Sequence, residues 1–126
     1  MSLLTILILL GWAPTPAAAE AISPITVEYS TSTAPLIISA YAHRFGVGSS
    51  TELLQKISYC ESRYRNVESP TDDTGPMQIN RYYHSKAAKA LGLNLENPWD
   101  NIEYGMRLFK AEGSRPWNSS RACWGM

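Results

Sequence analysis

The sequence predicts a small, mostly α-helical single domain of about five helices. A chain of 126 residues has the length of one domain. Apolar residues recur at helical spacing in several segments, and glycines and prolines separate those segments. These two observations together favour a compact helical fold.

The first 19 residues are predicted to be an export signal. An apolar run from Leu3 to Trp12 leads to the small residues Ala17–Ala19, although no Lys or Arg precedes the run. The alternatives are a short membrane anchor or a misplaced start codon, but a bilayer span takes about 20 apolar residues. We therefore expect a periplasmic or secreted protein without stable membrane insertion after cleavage.

Residues 20–48 are predicted to form an N-terminal arm and a first helix. The stretch 20–35 is rich in Ser, Thr and Pro and shows little periodicity, apart from a possible short strand at Val27–Tyr29. Leu36–Phe45 has a helical pattern that the segment Gly46–Gly48 terminates.

The next helix is predicted to run from Ser49 to Glu61, at the start of a domain spanning 49–126. Ser49 and Glu52 have the spacing of a capping box. Glu61 falls on the margin of an apolar stripe that repeats at i, i+3, i+4 and i+7. Partial burial there raises the pKa of a carboxyl, which suits a general acid near neutral pH.

The remaining elements follow from turn residues. Residues 63–74 form a polar loop or small hairpin, and Ser85–Leu91 forms a short helix closed by Gly92. Pro98 suits the first turn of a helix that ends at Gly113. The aromatic tail that follows is expected to be turn-like.

The charge balance and the ligand-forming residues exclude two classes of function. The 11 basic and 11 acidic side chains give a net charge of zero, whereas nucleic-acid binders carry a basic surplus. Two Cys and two distant His lack the spacing of metal ligands. We expect no metal, no other cofactor and no nucleic-acid partner.

The two cysteines are predicted to form a disulfide. Cys60 and Cys123 allow a single connectivity, and exported proteins favour oxidised pairs. The alternative is two buried free thiols. A bridge would join the C-terminal tail to the end of the helix that carries Glu61.

Three short motifs carry the strongest functional signal. They occur in this order: Cys60-Glu61-Ser62, then Asp73-Thr74-Gly75-Pro76-Met77-Gln78-Ile79-Asn80, then Asn101-Ile102-Glu103-Tyr104-Gly105. In order and spacing they resemble the lysozyme-like lytic transglycosylases of the soluble-lytic-transglycosylase domain family, including small members that accompany secretion systems and pili. The resemblance covers about Ser49 to Trp124 and implies a lysozyme-like fold with a substrate groove.

The resemblance assigns a role to each motif. Glu61 would be the catalytic acid and base that cleaves peptidoglycan glycan strands without water, and Ser62 would hydrogen-bond across to the second motif. The third motif would be scaffold, in which Gly105 lets its helix approach the Glu61 helix. The residues expected to bind substrate are Ser62, Asp73, Gly75, Met77, Gln78 and Asn80.

Asp73 leaves the reaction open. Animal-type lysozymes share the pattern Asp-x-Gly-x-x-Gln-Ile-Asn, and their second catalytic carboxylate stands at that aspartate. Two carboxyls about 5 Å apart support retaining hydrolysis. The alternative, which we favour, is that Asp73 forms a turn.

The C-terminus departs from the family pattern. An Ala-Tyr-Asn-x-Gly motif is absent, and the chain ends in the Trp-x-x-Ser-x-x-Cys-Trp pattern of small secreted relatives, starting at Trp117. Trp117 or Tyr82 can stack on a sugar, although large aromatic residues usually belong to the core. A non-catalytic glycan-binding or assembly protein that keeps the groove is the third interpretation. For the protein as a whole we expect a monomer whose partners are peptidoglycan glycan strands, with a secretion or pilus machine left open as a further partner.

Overall fold

The computed structural model describes residues 26–126, and helices account for most of that part of the chain. The expected signal peptide at 1–19 and the first residues of the expected arm lie outside the described residues. The prediction of about five helices is confirmed, since residues 26–126 contain five α-helices. They are α1 (Ala34–Arg44), α2 (Thr51–Ser62), α3 (Arg81–Ala90), α4 (Pro98–Glu112) and α5 (Arg121–Trp124).

Two 3₁₀ helices and one two-stranded sheet complete the described fold. The 3₁₀ helices are Gly48–Ser50 and Arg115–Ser120. The strands β1 (Asp73–Thr74) and β2 (Ile79–Asn80) pair antiparallel, with Asp73 opposite Asn80. The residues at 27–29 form no strand.

The amphipathic helices bury one face each around a single core. Leu54 and Ile57 of α2 and Ile102 and Met106 of α4 are fully buried. Trp117, from the second 3₁₀ helix, joins the same cluster and is 2% exposed. The tail is therefore helical and partly buried rather than turn-like, because tertiary contacts hold it.

Helix boundaries differ from the predictions where a cap was misassigned. The predicted capping box at Ser49 is wrong: α2 begins at Thr51 behind a 3₁₀ turn, and the N-cap residue Ser50 makes no side-chain capping bond. Helix α3 begins at Arg81, four residues before the predicted start, because the Asn80 side chain accepts a hydrogen bond from the Tyr83 amide. Helix α4 begins at Pro98 as predicted.

A charge cluster around Arg81 fixes the hairpin loop to the helices. The Arg81 guanidinium contacts Asp72 at 2.7 Å, Glu68 at 2.8 Å and Glu96 at 2.9 Å. These partners come from the loop before β1 and from the loop before α4. One side chain therefore links three segments of the chain.

No helix within residues 26–126 is long and apolar enough to cross a membrane.

Candidate active site

Glu61 lies in the last turn of α2, where the helix gives way to a left-handed turn. Arg63 adopts φ 58° and closes the helix with a hydrogen bond from its amide to the Tyr59 carbonyl. The Glu61 side chain is half-buried on the margin of the apolar face. Burial raises the pKa of Glu61, the hydrogen bond from Ser120 lowers it, and the charge of Asp73 raises it; the net direction is upward.

Ser120 is a site residue that the sequence did not reveal. Its hydroxyl donates a short hydrogen bond to Oε1 of Glu61. The indole N–H of Trp124 lies 3.0 Å from the same hydroxyl oxygen. The sequence signal for Ser120 was the Trp-x-x-Ser-x-x-Cys-Trp ending. It places Ser120 three residues before Cys123, whose predicted disulfide partner Cys60 precedes Glu61.

Asp73 is held on the opposite element by three side chains. It opens β1, so the expectation of a turn residue is wrong; Asp72, with φ 67°, occupies the turn. The Asp73 carboxylate accepts hydrogen bonds from Thr71 at 2.7 Å, Asn80 at 3.1 Å and Ser69 at 3.2 Å. Its charge is close enough to Glu61 to influence that carboxyl.

Gln78 and Asn80 lie beside Asp73, with part of their polar capacity used by the scaffold. Gln78 adopts φ 49° and donates from Nε2 to the carbonyls of Val67 and Gly75. Non-glycine residues seldom adopt this conformation, and such positions cluster at functional sites. A cavity of about 70 Å³ adjoins these side chains; its lining residues are Asp73, Gln78, Ile79, Asn80, His84, Leu108, Pro116 and Trp117.

Three of the residues expected to bind substrate are enclosed by the protein. The side chains of Ser62 and Met77 are buried, and Gly75 has no room for a side chain. Ser62 is 2% exposed and donates to the Pro76 carbonyl at 2.8 Å. Met77 is fully buried, and a Cβ on Gly75 would lie 2.3 Å from the Asn101 side chain. The buried side chains of Ser62 and Met77 are therefore not available to a ligand in this conformation, and Asn101 fills the space that a side chain at position 75 would need.

The motif that starts at Asn101 holds the hairpin motif Asp73–Asn80 in place. Asn101 is fully buried; its Oδ1 accepts from the Met77 amide at 2.9 Å, and its Nδ2 donates to the carbonyls of Thr74 and Leu95. The expectation that Gly105 admits the Glu61 helix is wrong. A Cβ on Gly105 would lie 2.9 Å from the Met77 side chain, so the glycine admits the hairpin.

The aromatic side chains divide into core and surface. Trp117 is buried and donates from Nε1 to the Met77 carbonyl at 2.8 Å, so it does not present a face for sugar stacking. Tyr82 and Tyr83 are 81% and 75% exposed and pack edge to face beside the cap residue Asn80. These two rings are the large exposed aromatic residues nearest in sequence to the hairpin.

His84 is a second residue that sequence reasoning missed. It lines the cavity beside Asp73, and its Nδ1 lies 2.9 Å from the Tyr104 hydroxyl. Burial lowers the pKa of His84 below its ordinary value, against a smaller raising effect of Glu112. Burial therefore favours the neutral form of the imidazole.

The predicted disulfide is confirmed. Cys60 and Cys123 are bonded; they lie 63 positions apart in sequence, and their Cα atoms are 5.9 Å apart. Bonds of this kind persist in oxidising compartments, which is compatible with export. Within residues 26–126, no three His, Cys, Asp or Glu side chains converge as metal ligands would.

No protein-family model matches the chain, and neither the curated proteins nor the solved structures contain a match.

Proposed function

We propose that this protein is an exported peptidoglycan lytic transglycosylase with a lysozyme-like fold, acting as a monomer. The observation that carries the proposal is the environment of Glu61: a half-buried carboxyl with a raised pKa, on which the charge of the hairpin residue Asp73 acts. A carboxyl that keeps its proton near neutral pH can serve as a general acid. The ordered motifs supply the substrate class.

The proposed reaction uses Glu61 twice. In the first step its proton goes to the oxygen that links N-acetylmuramic acid to N-acetylglucosamine, and the bond from that oxygen to the anomeric carbon breaks. The substrate's N-acetyl group assists at the anomeric carbon. In the second step the Glu61 carboxylate takes the proton of the muramic acid C6 hydroxyl, whose oxygen bonds to the anomeric carbon as a 1,6-anhydro ring.

The substrate groove is proposed to run between the end of α2 and the hairpin. Asp73, Gln78 and Asn80 border a cavity on the hairpin side. The cavity is smaller than a sugar ring, so a glycan would contact its rim and lie along the surface. Gln78 retains its amide oxygen as an acceptor for a sugar hydroxyl or N-acetyl group.

One observation favours hydrolysis as the second candidate. The charge of Asp73 acts on Glu61, and three side chains fix the orientation of the Asp73 carboxylate. A muramidase with water as acceptor would use Asp73 as its second carboxylate. Asp73→Asn should abolish hydrolysis and leave a transglycosylase largely active.

Mass spectrometry of the products from purified peptidoglycan tests the proposal. Products that end in 1,6-anhydromuramic acid, absent with Glu61→Gln, support the transglycosylase; products with reducing ends support the hydrolase. Glu52→Gln is the matched control, since Glu52 is an exposed acid on the same helix and pairs only with Lys56 among the described residues. Glycan binding without cleavage, unaffected by Glu61→Gln, would identify a non-catalytic module.

A further inference from the structure

The C-terminal segment places a chain of hydrogen bonds on the candidate acid. Trp124 donates from Nε1 to the Ser120 hydroxyl oxygen at 3.0 Å and shares that proton with the Trp117 carbonyl at 3.1 Å. An indole nitrogen can only donate, so the serine oxygen acts as its acceptor. The serine's own proton is then available to a carboxylate.

That proton has two acceptors within reach, a backbone carbonyl and a carboxyl. The Trp117 carbonyl lies 3.1 Å from Ser120 Oγ, and Glu61 Oε1 is the second acceptor. Hydrogen bonds to an ionised group are shorter and about twice as strong as neutral ones. When Glu61 is ionised, the Ser120 hydroxyl therefore donates its hydrogen bond to Oε1 and not to the Trp117 carbonyl.

The covalent structure keeps this arrangement together. Cys60 precedes Glu61, and its disulfide partner Cys123 lies between Ser120 and Trp124. Trp124 is 7% exposed, so its indole is fixed by packing as well as by the neighbouring bond. Ser120 and Glu61 lie 59 positions apart in sequence, and the disulfide and the packing of Trp124 hold them at hydrogen-bond distance.

We propose that Ser120 is a positioning residue for Glu61: it occupies Oε1, leaves Oε2 for the reacting atoms, and stabilises the carboxylate formed when the proton leaves. This role rests on the proposed function for its catalytic meaning. In the first step the proton passes from Oε2 to the glycosidic oxygen while the Ser120 hydroxyl keeps its hydrogen bond to Oε1. In the second step Oε2 receives the C6 hydroxyl proton.

A titration of Glu61 tests the hydrogen bond without reference to activity. Glutamate is labelled with ¹³C in the full chain, and the Glu61 carboxyl signal is assigned by its loss in Glu61→Gln. Ser120→Ala should raise the pKa of Glu61, because burial and the Asp73 charge then act without an opposing donor. Ser120→Thr keeps the hydroxyl and should restore the wild-type value, and the exposed Ser119→Ala should leave it unchanged.

The pH profile of cleavage tests the catalytic role. A general acid is lost as the pH rises through its pKa, so the alkaline limb should move to higher pH in Ser120→Ala, with a loss of about tenfold in kcat. Ser120→Thr should keep the wild-type limb. An unmoved limb would overturn the proposal even if Ser120→Ala were less active.

A second variant covers the case in which Ser120→Ala does not fold. Trp124→Phe keeps an aromatic ring and removes the donor that polarises the serine hydroxyl, so the Glu61 pKa should rise, by less than in Ser120→Ala. An unchanged or lowered Glu61 pKa in the folded variants would overturn the proposal. A wild-type protein that cleaves no glycan would refute the proposed function alone, since the titration still decides whether Ser120 controls the proton of Glu61.

Discussion

Asn101 accepts a hydrogen bond from the backbone amide of Met77 at 2.9 Å, across 24 positions of sequence. The same side chain reaches two further backbone carbonyls, one of them in β1. The hairpin that carries Asp73 and Gln78 is thus held by a side chain from helix α4. Removal of this one side chain should damage the site by unfolding it.

Asn101→Ala should destabilise the protein by about 2–4 kcal/mol, because one buried amide donor and two carbonyls lose their partner. Urea unfolding measures this change in free energy. Asn118→Ala, at an exposed position, is the control and should change stability by less than about 0.5 kcal/mol. Equal effects of the two variants would mean that the hairpin does not depend on Asn101.

Glu61→Gln should make the protein more stable at pH 7 relative to the wild type. The folded-state pKa of Glu61 is raised, so ionisation costs the folded protein free energy. That cost is absent below the unfolded-state pKa and grows as the pH rises to the folded-state pKa. Denaturation of both proteins at pH 4 and pH 7 should therefore show a larger stability difference at pH 7.

Glu52→Gln serves again as the matched control, and its difference from the wild type should not follow the same course. A Glu61→Gln difference that is the same at both pH values would show that Glu61 ionises as freely in the folded protein as in the unfolded chain.

Reduction of the disulfide should lower the free energy of unfolding by about 4 kcal/mol, as expected for a closed loop of this length. The paired variant Cys60→Ser with Cys123→Ser measures the loss by urea unfolding. Reduction should raise the intact mass by that of two hydrogen atoms. A stability that is unaffected by the paired substitution would mean that packing of Trp117 and Trp124 alone holds the tail.

If the edge-to-face pair stacks on a sugar, Tyr82→Ala and Tyr83→Ala should each weaken binding to glycan strands about five- to tenfold. Each variant loses the contact area of an exposed ring but little core packing. Isothermal titration with an inactive Glu61→Gln background measures binding without turnover. Tyr59→Ala, which removes an exposed ring on α2, is the control. Equal affinities of the Glu61→Gln background and the three tyrosine variants would exclude the Tyr82–Tyr83 surface from the groove.

Helices could be predicted from the sequence where nearby residues determine them, and the disulfide could be predicted because only one pairing is possible. The apolar stripe of α2, the start of α4 at Pro98 and the pairing of two cysteines each depend on nearby residues or on a single possible connectivity. The burial of Glu61 on the margin of that stripe followed from the same periodicity.

The features that the sequence did not predict depend on contacts between distant residues. The helical form of the tail depends on the hydrogen bond from the Trp117 indole to the Met77 carbonyl, which has no local signature in the sequence. Ser120 was missed because its partner lies 59 positions away. Asn80 was interpreted as part of a ligand motif, which concealed its role as the cap of α3.

Met77 is fixed by its backbone: the amide binds Asn101 and the carbonyl binds Trp117, while the side chain only fills space. Another apolar side chain of similar volume therefore fits at this position. An inserted or deleted residue between Gly75 and Asn80 would shift both backbone groups out of register with their partners. Among evolving copies of this chain, Met77 should be replaced by other apolar residues, while the length of the hairpin loop should be kept.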